Sequence, residues 1–235
     1  MGLITTAVPY DSTKGAKVQG APYNAEAKFY QPYRQSIDGD IDLRIAHVGI
    51  DRRNANMEDS NCWFPLAAAK RALAGGEIKA LPPNVYGLPT NRSQRHTLEV
   101  DAPRILEMLT ADSVDVVVVI PNCPICHQGQ SLLACYLESA GISTVVIGAA
   151  KDIVEYCEVS RFLLSDFPVG NVAAKPNDIA AQDLNFRLAV RLLESAPGPR
   201  TALQAPLVWS VDSSWKLDYS NLERLSAQEI ARLRE

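Results

Sequence analysis

The chain has 235 residues, 47% of them hydrophobic and 21% charged. Such proportions suit an ordinary globular protein with a sizeable core, and they exclude collagen-like, coiled-coil and small disulfide-framework architectures. Lys and Arg number 23 against 27 Asp and Glu, a formal charge of −4 with no basic block. That balance argues against a nucleic-acid or anionic-membrane surface and for a small-molecule or protein partner. At about 150 residues per domain, one α/β domain with extensions is the economical expectation.

Five cysteines, an odd number in a chain this long, do not form a secreted disulfide framework. The first ten residues join no basic region to an apolar one. The longest apolar run, Val114 to Pro121, is interrupted by Asp115 and falls far short of the ~20 residues of a membrane helix. A cytoplasmic location with reduced thiols is expected, with no membrane and no nucleic-acid partner.

Residues 1–42 are rich in Gly, Pro, Tyr and polar side chains and hold no sustained period. They are expected to form an extended arm whose aromatics, Tyr23, Phe29, Tyr30 and Tyr33, pack on the domain or on another subunit of a homo- or hetero-oligomer. Residues 43–196 alternate strand and helix signals and form the expected catalytic domain. Leu43 to Ile50 reads as a strand, Pro65 to Leu73 as a helix stopped by Gly75-Gly76, and Val85 as the centre of a further strand. A long helix follows from about Arg92 to Thr110, which Pro103 is expected to kink or divide. Val114 to Ile120 reads as a parallel strand buried on both faces. His127 to Ser139, a Gly141 stop and Thr144 to Ile147 complete a β-α-β unit. Lys151 to Val159 reads as helix, Phe162 to Leu164 as strand and Asp178 to Ser195 as an amphipathic helix. Residues 197–235 are expected to be an irregular tail anchored by Trp209 and Trp215, with a short helix over Leu222 to Leu233.

This alternation predicts a mostly parallel sheet with helices on both faces, in Rossmann-like or flavodoxin-like layers. Ligands of such sheets sit beyond the carboxyl ends of the strands.

Cys123-Pro124-Ile125-Cys126 follows the buried strand and precedes a helix. A thiol at a helix N-terminus faces unpaired N–H groups and the positive end of the dipole, which favour thiolate. Cys123 is therefore placed at the mouth as nucleophile, Cys126 one turn in as the resolving thiol, and His127 beside them as proton carrier or further cation. Packing and metal binding are the competing roles for an isolated C-x-x-C, zinc being the weaker because no second such pair or H-x-x-x-H occurs.

Cys62 lies in the polar turn Glu58 to Pro65 that opens the first helix and is a second candidate for the carboxyl-end rim; Asp59, Ser60 and Asn61 there also suit helix capping. Cys135 and Cys157 read as packing residues, and His47 as a core or rim histidine. His96 reads as lying on a solvated helix face. The turn Phe167 to Asn171, containing Gly170, is expected to line the same rim.

These landmarks together resemble the selenocysteine-bearing subunit of D-proline reductase and the related selenoprotein B component of glycine, sarcosine and betaine reductases. That family carries selenocysteine, two residues, cysteine and often histidine after an apolar strand, where this chain has Cys123-Pro124-Ile125-Cys126-His127. Upstream, Asn61-Cys62-Trp63-Phe64-Pro65-Leu66 and Gly76 to Leu81 are similar to its NC-x-FP segment and I-x-x-L continuation. Downstream, Glu138 to Thr144 is similar to its E-x-AGIPT turn, and Pro168-Val169-Gly170 with Lys175-Pro176-Asn177 to its PMG and PNN elements. The resemblance runs from about Leu43 to Leu193.

It implies a reductase of a small amino-acid-like substrate. Cys123 would be the nucleophile and Cys126 the resolving thiol, with Cys62, Asn61 and His127 around the site; Asp59 and Gly170 join the substrate-binding candidates from their own places in the two rim turns. No cofactor or metal is expected in this chain; a pyruvoyl group on a partner subunit and an external dithiol reductant are implied. Cys123 stands where the family commonly has selenocysteine, and sulfur, the weaker nucleophile, calls for a slower reaction or a more activated substrate. Two other readings stand beside it. One is a cofactor-independent racemase or lyase using Cys62 and Cys123 as acid and base, and the other is a non-catalytic C-x-x-C redox or binding subunit.

Overall fold

The computed structural model describes residues 1–10, 31–39, 41–45, 49–51, 54, 59–88 and 91–217, and beyond these 219, 221, 223, 226–228 and 230. In chain order the strands are β1 (Gly2–Thr5), β2 (Val8–Pro9), β3 (Tyr33–Ser36), β4 (Leu43–Arg44), β5 (Asn84–Gly87), β6 (Val116–Ile120), β7 (Ser143–Gly148), β8 (Arg161–Leu164) and β9 (Thr201–Gln204). The helices are α1 (Leu66–Ala74), α2 (Gln94–His96), α3 (Ala102–Ala111), α4 (Pro124–Ser139), α5 (Lys151–Tyr156) and α6 (Ile179–Ser195). No helix among the described residues is long and apolar enough to cross a membrane.

The main sheet runs β3-β5-β1-β6-β7-β8-β9; β3 is antiparallel to β5 and every other neighbouring pair is parallel. The expected α/β class with a mostly parallel sheet is therefore the observed one. Alternate residues of each strand point to opposite layers. Leu3, Val85, Val118, Ile120, Val145, Ile147 and Leu163 join the core that includes residues of α1 and α6. Ile4, Tyr86, Val117, Val119, Val146 and Phe162 join the core shared with α3 and α4. β6, a run of four valines and an isoleucine, is buried on both faces, the environment in which β-branched side chains pack best.

The six parallel strands, numbered along the chain, stand in the order 2-1-3-4-5-6. The chain leaves β1 for one side of the sheet and returns from β5 to the other. The strand order thus reverses between β1 and β6, and the crevice beyond their carboxyl ends is where doubly wound sheets take ligands.

Three differences from the expected organisation are informative. Residues 1–42 are not an arm throughout: Gly2–Thr5 is an inner strand, with Ile4 opposite both Tyr86 and Val119. Four residues are too few to display a period, so burial on both faces was not visible there. Residues 11–30 lie outside those described. Of Leu43 to Ile50, expected as the first sheet strand, the described residues contribute β4, a two-residue antiparallel pairing with β2 outside the main sheet; residues 46–48, His47 among them, lie outside the described residues. The tail contributes β9, an edge strand parallel to β8, after the turn at Pro197-Gly198-Pro199-Arg200. Beyond it Trp209 rests on Phe167 and Trp215, with ring centroids 5.7 and 6.4 Å apart. The proposed helix from Leu222 to Leu233 lies mostly outside the described residues.

Pro103 divides the long helix as expected. It lacks an N–H and its ring crowds the carbonyl four residues back, and Thr97–Asp101 just before it widens into a π turn in which Ala102 N–H reaches Thr97 O.

β3 docks through Tyr33, whose ring lies over Gly87, its partner in register, while the phenol donates to Ala7 O at 2.7 Å. A Cβ at Gly87 would stand 1.8 Å from the ring. Gly87→Ala is therefore expected to lower unfolding stability by about 1–3 kcal/mol, the range for overpacking. Chemical denaturation measures it, and an unchanged midpoint would contradict the docking of β3.

Candidate functional site

The site is built from the segment that leaves β6. Asn122 donates its backbone N–H to Thr6 Oγ1 at 3.0 Å, tying this segment to the end of β1 across the reversal point. Cys123, with extended backbone (φ −146°, ψ 164°), is the N-cap of α4, and Pro124 opens the helix where a missing N–H costs nothing. Cys123 Sγ occupies the position usually held by a Ser or Asp oxygen and accepts Cys126 N–H at 3.0 Å.

Cys123 and Cys126 form a disulfide, their Cα atoms 4.8 Å apart. The pair is 0% and 1% exposed. Cys123 is therefore not at an open mouth as expected; the N-terminal position held, but the surrounding chain closes over it.

His127 is also fully buried. Ala149 N–H donates to its Nε2 at 2.9 Å, so the ring proton resides on Nδ1, which donates to Cys123 O at 2.7 Å. Burial lowers its pKa to about 4, against the opposing pull of the Cys123 carbonyl and the Asp152 charge. His127 is thus a neutral clamp between the start of α4 and the end of β7, and the expected role of proton carrier or cation is corrected. Gly148 makes the clamp possible, since a Cβ there would lie 2.8 Å from the imidazole Cδ2.

The Asp59 turn reaches the same end of the sheet. Thr5 Oγ1 donates to Trp63 O at 3.3 Å, and Ala173 N–H donates to Cys62 O at 2.9 Å. Asp59 caps the 3-10 turn Ser60–Cys62: Oδ1 accepts from Asn61 N–H and Nδ2, and Oδ2 from Asn177 N–H and Gln182 Nε2. Burial raises its pKa, but the bonds from Asn177, Asn61 and Gln182 outweigh that and hold it below the usual carboxylate range. Asn61 Oδ1 accepts Ala67 N–H at 3.2 Å. Asp59 and Asn61, expected to bind substrate, are engaged in joining the turn to α1 and α6.

Cys62 is a free, fully buried thiol. Burial, and then the Asp59 charge, push its pKa far above the ordinary cysteine value. That environment disfavours the thiolate on which the acid–base role expected for Cys62 near neutral pH would draw. Gly170, at φ +108°, is the third residue of a turn closed by Asn171 N–H to Pro168 O at 2.9 Å, a position that demands a left-handed backbone. It shapes the rim through the chain path. Of the remaining cysteines, Cys135 donates its thiol to Cys157 O at 3.2 Å, as packing residues. His96, expected on a solvated face, is half-exposed, with Nε2 3.4 Å from buried Asp101.

Sequence reasoning missed Asn122, and it placed Asn171 on the rim only through its backbone. Both are completely buried, and each has a side-chain oxygen with no hydrogen-bond partner among the described residues. Asparagine after a strand reads as turn chemistry, and only the packing shows the unused acceptor. Among the described residues no group of three or more His, Cys, Asp or Glu is placed to hold a metal ion.

Comparison with protein-family models, with curated proteins and with solved structures gives no match. The fold and site define the class: an α/β protein with a buried Cys-x-x-Cys disulfide at the helix N-terminus that faces its strand-order reversal.

His127 supplies a direct check. Its folded pKa lies below its unfolded value near 6.5, so the unfolded chain binds the extra proton and stability falls as pH drops from about 6.5 to about 4. The loss is expected to reach roughly 3 kcal/mol at 1.36 kcal/mol per pKa unit. Urea unfolding across this window measures it, and His127→Gln should abolish that part of the slope; an identical slope in both proteins would contradict the buried neutral imidazole.

Proposed function

We propose that the chain is a thiol-dependent reductase, or the reducing subunit of one, acting on a small amino-acid-like substrate. The observation that carries the reading is the Cys123–Cys126 disulfide at the N-terminus of α4, beyond the reversal point of the sheet. The same N–H that reaches Cys123 Sγ in the disulfide stabilises its thiolate after reduction, together with the helix dipole. Cys123 is therefore the attacking sulfur and Cys126 the resolving one.

In the reduced protein, Cys123 thiolate attacks the amine-bearing carbon. A C–S bond forms, the C–N bond breaks, and the amine leaves with the bonding pair and takes a proton. Cys126 then attacks Cys123 Sγ; the S–S bond forms, the C–S pair passes to carbon, and carbon takes the proton released by the Cys126 thiol. The substrate gains two electrons and the dithiol loses two, which an external dithiol restores. By the family resemblance, a pyruvoyl group on a partner subunit supplies activation of the departing amine. The thiol pair fits the electron-donating half of such a reaction. His127 holds the Cys123 carbonyl and keeps the N-cap geometry through the cycle. Because both sulfurs are buried, substrate reaches them by local opening of the cover.

That burial also supports a second reading, an electron carrier that exchanges disulfides with a partner and never touches a carbon substrate. Cys126→Ser separates the two. Without the resolving thiol, reduced Cys126→Ser incubated with small amine substrates and the partner subunit is expected to accumulate a stoichiometric adduct on Cys123, read by intact mass. Cys123→Ala is expected to lose turnover by more than about 100-fold, as removal of a nucleophile does. Full activity in Cys123→Ala, or no adduct with any substrate that is turned over, would overturn the reductase reading.

A further inference from the structure

Asn122 precedes the reactive pair and is fully buried. Its amide orientation is fixed by its neighbour. Thr5 Oγ1 has one proton, which goes to Trp63 O at 3.3 Å, and the same oxygen accepts Ala7 N–H at 3.1 Å. With that proton on Trp63 O, Thr5 is an acceptor toward Asn122 at 3.1 Å and the amide presents Nδ2. Oδ1 is left turned away from Thr5, buried and without a partner among the described residues.

Asn171 repeats the pattern. It too is fully buried, its Nδ2 lies 3.5 Å from the carbonyl of Asn54, which can only accept, and its Oδ1 has no partner among the described residues. A buried acceptor left empty is among the costly features of a folded protein, and native structures keep few of them. Two asparagines with the nitrogen engaged and the oxygen free, at the ligand-binding end of a doubly wound sheet, are arranged to receive donors.

We infer that Asn122 is the positioning residue of this site, and that its Oδ1 accepts an N–H or O–H from the molecule that reacts at Cys123–Cys126. The inference rests on the redox reading above and deepens it. The site selects for reactants that carry a hydrogen-bond donor near the reacting atom and against those that carry only an acceptor there. His127 cannot share this task, since both ring nitrogens are engaged, and neither can Asp59, whose two oxygens already hold four bonds.

Small thiols test this directly because they are reactants and probes at once. Two thiols reduce the disulfide: the first thiolate attacks one sulfur and expels the other, and the second displaces the protein thiol. The products are one external disulfide and the protein dithiol. Reduction rates of the folded, full chain by cysteamine, 2-mercaptoethanol and 3-mercaptopropionate are measured per thiolate and normalised to their rates with a strain-free model disulfide.

The wild-type protein is expected to prefer the two donor-bearing thiols over 3-mercaptopropionate by about tenfold, as a single buried hydrogen bond allows. Asn122→Ala should bring the three normalised rates within about twofold of one another, and Asn122→Asp, which keeps an acceptor, should retain the preference for cysteamine. A merely structural role for Asn122 would change all three rates alike. Equal normalised rates in the wild type, or a preference that survives in Asn122→Ala, overturns the assignment to Asn122 and leaves the redox reading standing. If none of the thiols reduces the pair in the folded protein, the redox reading falls and the inference falls with it.

Discussion

The turn between β6 and α4 is held from both sides, and the candidate chemistry depends on that restraint. On one side Asn122 is bonded to Thr5 and Thr6 at the end of β1. On the other, His127 bridges the Cys123 carbonyl and the amide of Ala149, just past the end of β7. Parallel strands need crossovers, and a crossover that starts with a capped helix aims the first helical N–H groups at whatever occupies the cap. In this chain the occupant is sulfur. The helix terminus, the sheet reversal and the two cysteines are therefore consequences of one local arrangement.

Electrostatics assigns different roles to side chains that look alike in the sequence. Cys62 and Cys123 both precede helices near the carboxyl end of the sheet. Cys62 lies in the apolar core beneath a carboxylate, which keeps its sulfur protonated. Cys123 is met by a peptide N–H. His127 likewise reads as an acid–base group beside two thiols, yet complete burial and two fixed bonds make it a neutral strut. A buried, protonated Cys62 is a poor base, whereas Cys123 has an N–H donor beside its sulfur.

How much of this was legible follows from the range over which each feature is encoded. β6, α4, α6 and the Cys-x-x-Cys junction are specified by contiguous runs, valines for a doubly buried strand and an apolar stripe over four turns for a helix, and they were readable. β1 and β9 are four-residue strands, and only their neighbours' hydrogen bonds make them strands. The two-step division of the long helix was visible in Pro103, because proline acts locally. The burial of the disulfide, the tautomer of His127 and the empty acceptor of Asn122 depend on residues more than a hundred positions away or on side-chain orientation, neither of which leaves a periodic trace.

The proposed function requires Cys123 and Cys126 to interconvert between dithiol and disulfide while the fold stays intact. Its most direct test is the equilibrium reduction potential of the pair, read by thiol alkylation and intact mass in dithiol buffers of graded potential, with circular dichroism recorded alongside. A reversible two-electron transition confined to this pair is expected, at roughly −300 to −120 mV, the span of thiol oxidoreductases. Reduction that occurs only as the protein unfolds, or only well below that span, would mark the disulfide as structural and contradict the account.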